Sequence, residues 1–293
     1  MASTNRPVIV CVDYACGVVT DMSATENQLP FEVAETITRG GTTFEVLEYG
    51  SLAGSEPFAV AEQVYTLNRA KVRLRQLRIR LTKDAVRTEP GALQFLKGHV
   101  EMESNTGTGS GFGGLMKGAL AAARTGETMF KPLYRGTGEL YLEPTFGHYW
   151  LMELEGETLY ADQGLFFCCE DSVKVEAHKV ESFSARMVGG EGRYQTKVSG
   201  SGMVVFRIPV PKSEIVELTL ADETLQVDGS FALLRTGEVH FSVEKASNSL
   251  AGAVTSGEGL LQTFRGSGKV WVAPTQPLYE TMRRALAPTT PAK

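Results

Sequence analysis

The chain repeats one pattern of residues three times, and a tandem repeat restricts the possible folds more than any other feature of this sequence. Each copy begins at a leucine that leads through an acidic, turn-rich segment into an apolar strand; these are Leu81, Leu154 and Leu220. The leucines are separated by 73 and then 66 positions. Such a period indicates one supersecondary unit copied in tandem, with neighbouring copies burying each other's apolar faces.

Two glycine motifs recur near the end of each copy. A Gly-Glu pair comes first, at 126–127, 190–191 and 257–258. A Gly-x-Gly sequence then opens the last strand, at 136–138, 200–202 and 266–268. We expect these glycines to provide positive φ angles in hairpin turns, because they precede strands and no helix that could bind a phosphate follows them.

Alternation of apolar and polar residues predicts strands at equivalent places in the three copies: 100–103, 173–176, 239–243, 139–142, 203–206 and 269–272. We therefore predict an all-β protein of three tandem β repeats. Closure into a pseudo-threefold barrel or prism is expected, since closure removes exposed strand edges. A short helical insertion and a short C-terminal helix at 277–286, with Leu278, Met282 and Ala285 on one side, complete the prediction.

The predicted domain organisation has three parts. Residues 1–70 form an N-terminal extension whose strands, at 44–49 and 58–65, pack on the body. Residues 71–276 form the three-repeat β domain, with copies at about 71–144, 145–211 and 212–276. Residues 277–293 form the short helix and a frayed tail.

Composition argues against several functional classes. The chain has 293 residues and a formal net charge of −5, which gives no overall attraction to nucleic acid or anionic lipid. A cytoplasmic protein is expected, because the sequence shows no signal peptide, transit peptide or transmembrane segment. The four cysteines lack metal-site spacing, and familiar hydrolase, nucleotide-binding and zinc-protease motifs are missing. We expect no enzyme activity, metal or cofactor.

Several short motifs resemble a known family. They are Pro-Gly-Ala-Leu at 90–93, Gly-Gly-Leu-Met-Lys at 113–117, Gly-Glu-Thr-Met-Phe at 126–130, and Gly-Glu-Gly-Leu-Leu at 257–261. Over roughly 75–275 the chain is similar to the altered-inheritance-of-mitochondria family, number twenty-four, a largely bacterial group with fungal mitochondrial members. The middle copy departs from the pattern, because Gly190-Glu191 is followed by Gly-Arg-Tyr rather than by an apolar pair.

The resemblance implies a β-barrel related to the fold of the tryptophan RNA-binding attenuation protein. It also implies a protein without established catalytic activity, and an association of the mitochondrial members with organisation of the inner membrane. No catalytic residues are carried over from the family.

The three glutamates of the Gly-Glu pairs are the first candidate site. In a pseudo-threefold barrel Glu127, Glu191 and Glu258 occupy equivalent positions and could converge near the axis. Three carboxylates there could hold a hard cation or a small ligand through oxygen. Alternatively, each glutamate accepts backbone N–H groups in its own turn and has only a structural role.

A basic stretch at 69–80 is the second candidate; its cations are Lys71, Arg73, Arg75, Arg78 and Arg80. The strand phase changes near Gln76, which predicts a bulge or a break between strands. The stretch could contact RNA phosphates or lipid head groups. Alternatively, it is a charged outer face that protects a sheet edge.

An insertion confined to the first copy, at 107–123, is the third candidate. It is rich in glycine and then apolar, with Phe112, Leu115, Met116, Lys117 and Leu120. It could contact a membrane interface or a partner groove, or it could fold back as a lid on the barrel end.

The sequence as a whole favours a non-enzymatic binding or assembly protein, membrane-associated or acting as a scaffold. Its expected partner is another copy or another protein, and a peripheral membrane contact is a further option. The alternatives are an RNA-binding protein that uses the basic stretch, and a small-ligand or metal-binding protein that uses the pseudo-threefold axis.

Overall fold

A computed structural model of the chain describes residues 30–103, 131–180, 194–245 and 260–286, and it shows a mostly β fold. The thirteen strands are β1 Phe31–Arg39, β2 Thr42–Tyr49, β3 Arg75–Thr88, β4 Leu93–Glu103, β5 Leu133–Leu142, β6 His148–Ala161, β7 Phe166–Glu170, β8 Val173–Lys179, β9 Tyr194–Ile208, β10 Val216–Asp228, β11 Ala232–Thr236, β12 His240–Lys245 and β13 Leu260–Val272. Two α-helices, α1 Phe58–Arg69 and α2 Gln276–Leu286, and a 3₁₀ turn, Lys212–Glu214, accompany them. The predicted strands of the body and the predicted C-terminal helix are confirmed.

All strand pairs are antiparallel, and the main path through the sheet is β1-β2-β3-β7-β9-β6-β11-β13-β10. Strands β5, β8 and β12 branch from this path by pairing with β3, β9 and β13 respectively, and β4 pairs with β5. Buried apolar side chains form three core clusters. One contains Leu154, Phe206 and Trp271, the second contains Phe44, Leu77 and Leu140, and the third contains Phe241, Phe264 and Val270. The fold is therefore one large sheet with buried faces.

The sheet is open, so the prediction of a closed pseudo-threefold barrel or prism is wrong for the described residues. Two short strands make the connections that exist: β7 pairs with both β3 and β9, and β11 pairs with both β6 and β13. In the first copy, residues 93–96 occupy the place that β7 and β11 occupy in the second and third copies, so a third connecting strand would have to come from them. Those residues instead belong to β4, which pairs only with β5, so nothing in the described part of the chain joins β10 back to the first strands.

The Gly-x-Gly sequences lie inside strands β5, β9 and β13, not in the predicted hairpin turns. Their second glycines pair with the three buried leucines that begin the copies: Gly138 with Leu81, Gly202 with Leu154 and Gly268 with Leu220. A register shift in the partner strand follows each leucine. Positive φ does occur, for example 144° at Gly268. The glycines therefore permit close approach at a bulge.

Residues 58–65 form the first part of helix α1, so the predicted strand there is wrong. The helix follows Pro57, whose ring favours a start at this point. None of its twelve residues is buried, and Phe58 and Tyr65 are 83% and 65% exposed. The strand predicted at 44–49 is confirmed as part of β2.

Candidate binding surfaces

The basic stretch does not form one continuous face. Lys71 and Arg73 precede β3, and Lys71 has a positive φ of 57°. The change of phase predicted near Gln76 corresponds to the start of β3 at Arg75, whereas the register shift lies further on, between Thr82 and Asp84. The predicted bulge or break between strands near Gln76 is therefore wrong, because the segment before β3 is not a strand and the register shift lies seven residues further on.

The three strand arginines of this stretch are paired with carboxylates of β2. Arg78 and Arg80 donate to the two oxygens of Glu45, at 2.6 and 2.8 Å, and Arg75 donates to Glu48 at 2.7 Å. Glu45 is only 3% exposed, so its charge is directed to these two partners. These ion pairs favour the interpretation of the stretch as a charged outer face rather than as a phosphate-binding site.

The other two predicted sites lie outside the described residues: the glutamates Glu127, Glu191 and Glu258, and the insertion residues Phe112, Leu115, Met116, Lys117 and Leu120. Within the described ranges, no cluster of three or more His, Cys, Asp or Glu side chains is arranged to hold a metal ion. Nor does any helix of that part of the chain have the length and apolar character needed to cross a bilayer.

A cleft that the sequence did not predict lies beside helix α2. It has a volume of about 700 Å³ and receives side chains from four separate places in the chain: the segment before β3, the turn before β6, the segment after β9, and α2 itself. The residues lining this α2 cleft are Val72, Phe146, His148, Pro209, Pro211, Tyr279, Met282 and Arg283. Apolar side chains therefore dominate a concave surface of the size that binds small molecules.

Glu214, in the 3₁₀ turn, fastens α2 to the body. Its carboxylate accepts a hydrogen bond from the Thr275 hydroxyl, just before the helix, and another of 3.0 Å from the Tyr279 hydroxyl within it. The bond to Glu214 raises the pKa of Tyr279. Since the first turn of the helix is held in this way, one wall of the α2 cleft is fixed in place.

The polar groups of the α2 cleft differ in charge. Burial, followed by the nearby Arg75 cation, lowers the pKa of His148, so its imidazole is mostly neutral at pH 7. Arg283 lines the cleft, whereas Lys212, which follows Pro211 in the chain, lies over the Trp150 ring, 5.5 Å from its centroid. Neither cation forms an ion pair with a carboxylate of the described residues. The mouth of the cleft thus has available positive charge.

The side of α2 that carries Leu278 and Met282 is largely exposed. Leu278 and Met282 are 58% and 54% exposed, although only Met282 lines the cleft. The sequence did contain a signal for this site, because Pro209-Val-Pro211 and Pro277 mark rigid segments on either side. Only their meeting in the folded chain makes them a cleft.

Comparison with known proteins gives three findings. A family model described as mitochondrial biogenesis AIM24 matches residues 69–275, close to the range over which the sequence motifs show the resemblance. An uncharacterised protein of Streptococcus pyogenes serotype M6 is 23% identical over 192 residues, which cover 64% of this chain and 76% of that protein. An X-ray structure of a Streptococcus pyogenes protein from a structural genomics consortium has a TM-score of 0.52 and 20% identity, covering 73% of this chain and 95% of its own.

Proposed function

The chain belongs to the mitochondrial biogenesis AIM24 family, and on that basis we propose that it is a non-enzymatic binding and assembly protein that associates with further copies of itself. The observation that carries this proposal is that the two strands ending the main path each have a partner on one side only among the described residues, as the branch strands β4, β8 and β12 also do. Strand β1 ends the path on one side and β10 ends it on the other, with nine and thirteen residues respectively. Each offers unpaired backbone groups to another strand.

The composition of the two edge strands supports pairing between copies. Neither strand contains proline or lysine, two residues that commonly protect an exposed edge. Both expose a valine, Val33 at 46% and Val216 at 43%. Each strand has one register shift, which leaves the stretches on either side of it regular.

Charge favours contact of β1 with β10 over contact of two β10 strands. Strand β10 carries four acidic residues and no basic residue, so two copies of it would repel each other. Strand β1 is less acidic, with two glutamates and with Arg39, which already pairs with Glu153 and Glu170. A head-to-tail contact of this kind closes into a ring or continues as a filament, depending on the rotation between copies.

The RNA-binding alternative receives little support, because Glu45 and Glu48 already engage the three strand arginines. The same assembly would serve either as a protein scaffold or as a membrane-associated complex. The alternative of a metal or small-ligand site depends on Glu127, Glu191 and Glu258, which lie outside the described residues.

The experiment that tests self-association is light scattering coupled to size-exclusion chromatography over a range of protein concentrations. The unmodified chain should have a mass above that of one chain, and Val33→Lys and Val216→Lys should each lower it. Leu278→Lys is the control, since Leu278 is even more exposed, at 58%, but belongs to α2 rather than to an edge. A chain that is monomeric at all concentrations, or a control that dissociates equally, would refute the proposal.

A further inference from the structure

We propose that the α2 cleft binds an acyl chain that bears an anionic head group. This ligand site is separate from the sheet edges proposed for assembly. The apolar wall consists of Val72, Phe146 and Met282 together with two prolines, and it accounts for the chain. The volume of about 700 Å³ falls within the range of roughly 300–1,000 Å³ that is usual for small-molecule sites.

The charges around the cleft select an anion for the head group. The carboxylate of Glu48 is paired with Arg75, and that of Glu214 accepts two hydrogen bonds from the chain near α2. Arg283 and Lys212 are not paired with a carboxylate of the described residues. An anionic head group in the cleft would therefore meet the Arg283 cation, whereas Lys212 lies over the Trp150 ring, 5.5 Å from its centroid.

The origin of the walls argues against an extended peptide as the ligand. A peptide that adds a strand needs an exposed sheet edge with free backbone groups. The cleft is lined by a loop, a turn, a proline segment and a helix, and neither edge strand, β1 nor β10, contributes a lining residue. An acyl chain needs only apolar surface, which these elements provide.

The cleft also exists before any ligand enters. The hydrogen bonds from Thr275 and Tyr279 to Glu214 hold α2 against the body. Within the helix, Gln276 donates a 2.8 Å hydrogen bond to Glu280 one turn later. A preformed site avoids the entropy cost of ordering a helix on binding. The four described elements are thus sufficient for the site.

Isothermal titration calorimetry with laurate, below its micelle concentration, tests the proposal on the full-length protein. Each additional methylene should strengthen binding by up to roughly 4-fold, so laurate, with two more methylenes, should bind up to roughly 16-fold more tightly than decanoate. Met282→Glu should abolish binding, because it places a negative charge on the apolar wall. Arg283→Gln should weaken laurate but leave dodecyl maltoside, which has an uncharged head, unchanged.

Leu278→Glu is the control, because Leu278 lies on the same helix at similar exposure without lining the cleft. It should bind laurate as the unmodified chain does. Equal affinity for decanoate and laurate, or equal loss in Leu278→Glu and Met282→Glu, would overturn the proposal and indicate an adventitious surfactant effect.

A second arm distinguishes a free fatty acid from a bilayer lipid. Flotation with vesicles of phosphatidylglycerol and phosphatidylcholine reports capture of a bilayer lipid, and calorimetry with laurate reports binding of the free acid. The proposal is supported if the protein binds lipid in either arm and Met282→Glu removes that binding. It is refuted if the unmodified protein binds in neither arm. Assembly is measured separately by light scattering without ligand, so failure of one proposal leaves the other to its own test.

Discussion

The guanidinium carbon of Arg235 lies 3.8 Å from the centroid of the Tyr160 ring, directly across the β11–β6 strand pair. Arg235 is only 4% exposed, and it forms no ion pair with a carboxylate of the described residues. Its two terminal nitrogens donate to Val239 O at 2.8 Å and to Gln195 Oε1 at 3.3 Å. Burial lowers the pKa of Arg235 to about 10, so it stays charged at neutral pH and the aromatic ring supports that charge.

Replacement of the ring should therefore cost stability. We expect Tyr160→Leu to lower the free energy of unfolding by about 2 kcal/mol, the value of a desolvated cation–π contact. Tyr160→Phe keeps the aromatic face and should cost less than about 1 kcal/mol. Urea unfolding followed by circular dichroism measures both. Equal losses in the two variants would show that the ring face contributes nothing particular.

Glu45 should be needed for stability because it compensates two arginines. In Glu45→Gln the guanidinium of Arg78, whose side chain is 11% exposed, loses its counter-charge. Breaking a buried pair in this way should cost about 3 kcal/mol. Glu153→Gln, which removes an exposed partner of Arg39, is the control and should cost less than about 1 kcal/mol. Similar costs for both changes would contradict this assignment.

Acid should destabilise the protein through two half-buried histidines. Burial, and then Arg75 near His148 or Arg235 and Lys197 near His178, lowers the pKa of both imidazoles in the folded chain. The unfolded chain then binds the protons more readily, so the stability contribution is complete above about pH 6.5 and falls as the pH drops below that value.

The measurement is the free energy of unfolding at pH 8 and pH 5. His148→Asn and His178→Asn should each lose less stability between these values than the unmodified chain. His240→Asn, at an exposed position on β12, serves as the control and should lose as much as the unmodified chain. An unchanged acid loss in both half-buried variants would disprove the prediction.

Gly268 should not tolerate a side chain. An added Cβ would lie 2.2 Å from Thr236 Oγ1 and 2.8 Å from a methyl of Val239, and the φ angle of 144° is unfavourable for other residues. We expect Gly268→Ala to cost about 3 kcal/mol through overpacking and backbone strain. Gly50→Ala, where nothing lies within 4 Å, should change stability by less than about 0.5 kcal/mol. Thermal unfolding of both variants decides.

The elements that the sequence predicted best are those with a long, regular pattern. The β-branched and aromatic residues in Met203-Val-Val-Phe206 and Lys269-Val-Trp-Val272 indicated strands, and both segments are strands, although their apolar residues are buried on both faces of the sheet. The prediction of a strand at 58–65 was wrong because an eight-residue segment with apolar side chains at 58, 60 and 64 fits a strand nearly as well as a helix. Only the position of Pro57 pointed to a helix.

Closure and charge pairing could not be predicted because both depend on distant residues. Whether residues 93–96 pair with a third-copy strand or remain part of β4 is decided by the whole sheet. Likewise, Glu45 lies thirty-three residues from Arg78, and its role as a shared partner follows from the β2–β3 register. The sequence at 69–80 suggested a basic patch, but the ion pairs with Glu45 and Glu48 neutralise the three strand arginines of that stretch.

The pairing of β3 has a mechanical consequence. β3 lies against β2 at 75–81, against β5 at 78–87 and against β7 at 86–88, whereas β1 is paired with β2 alone. A force applied at residue 30 would first peel away β1, and then β2 once it too was held along one side. The resistance would then rise at 86–88 of β3, because there a ladder to β7 joins the ladder to β5 on the other side of the strand. This strand is the clamp of the domain against traction from its N-terminal side.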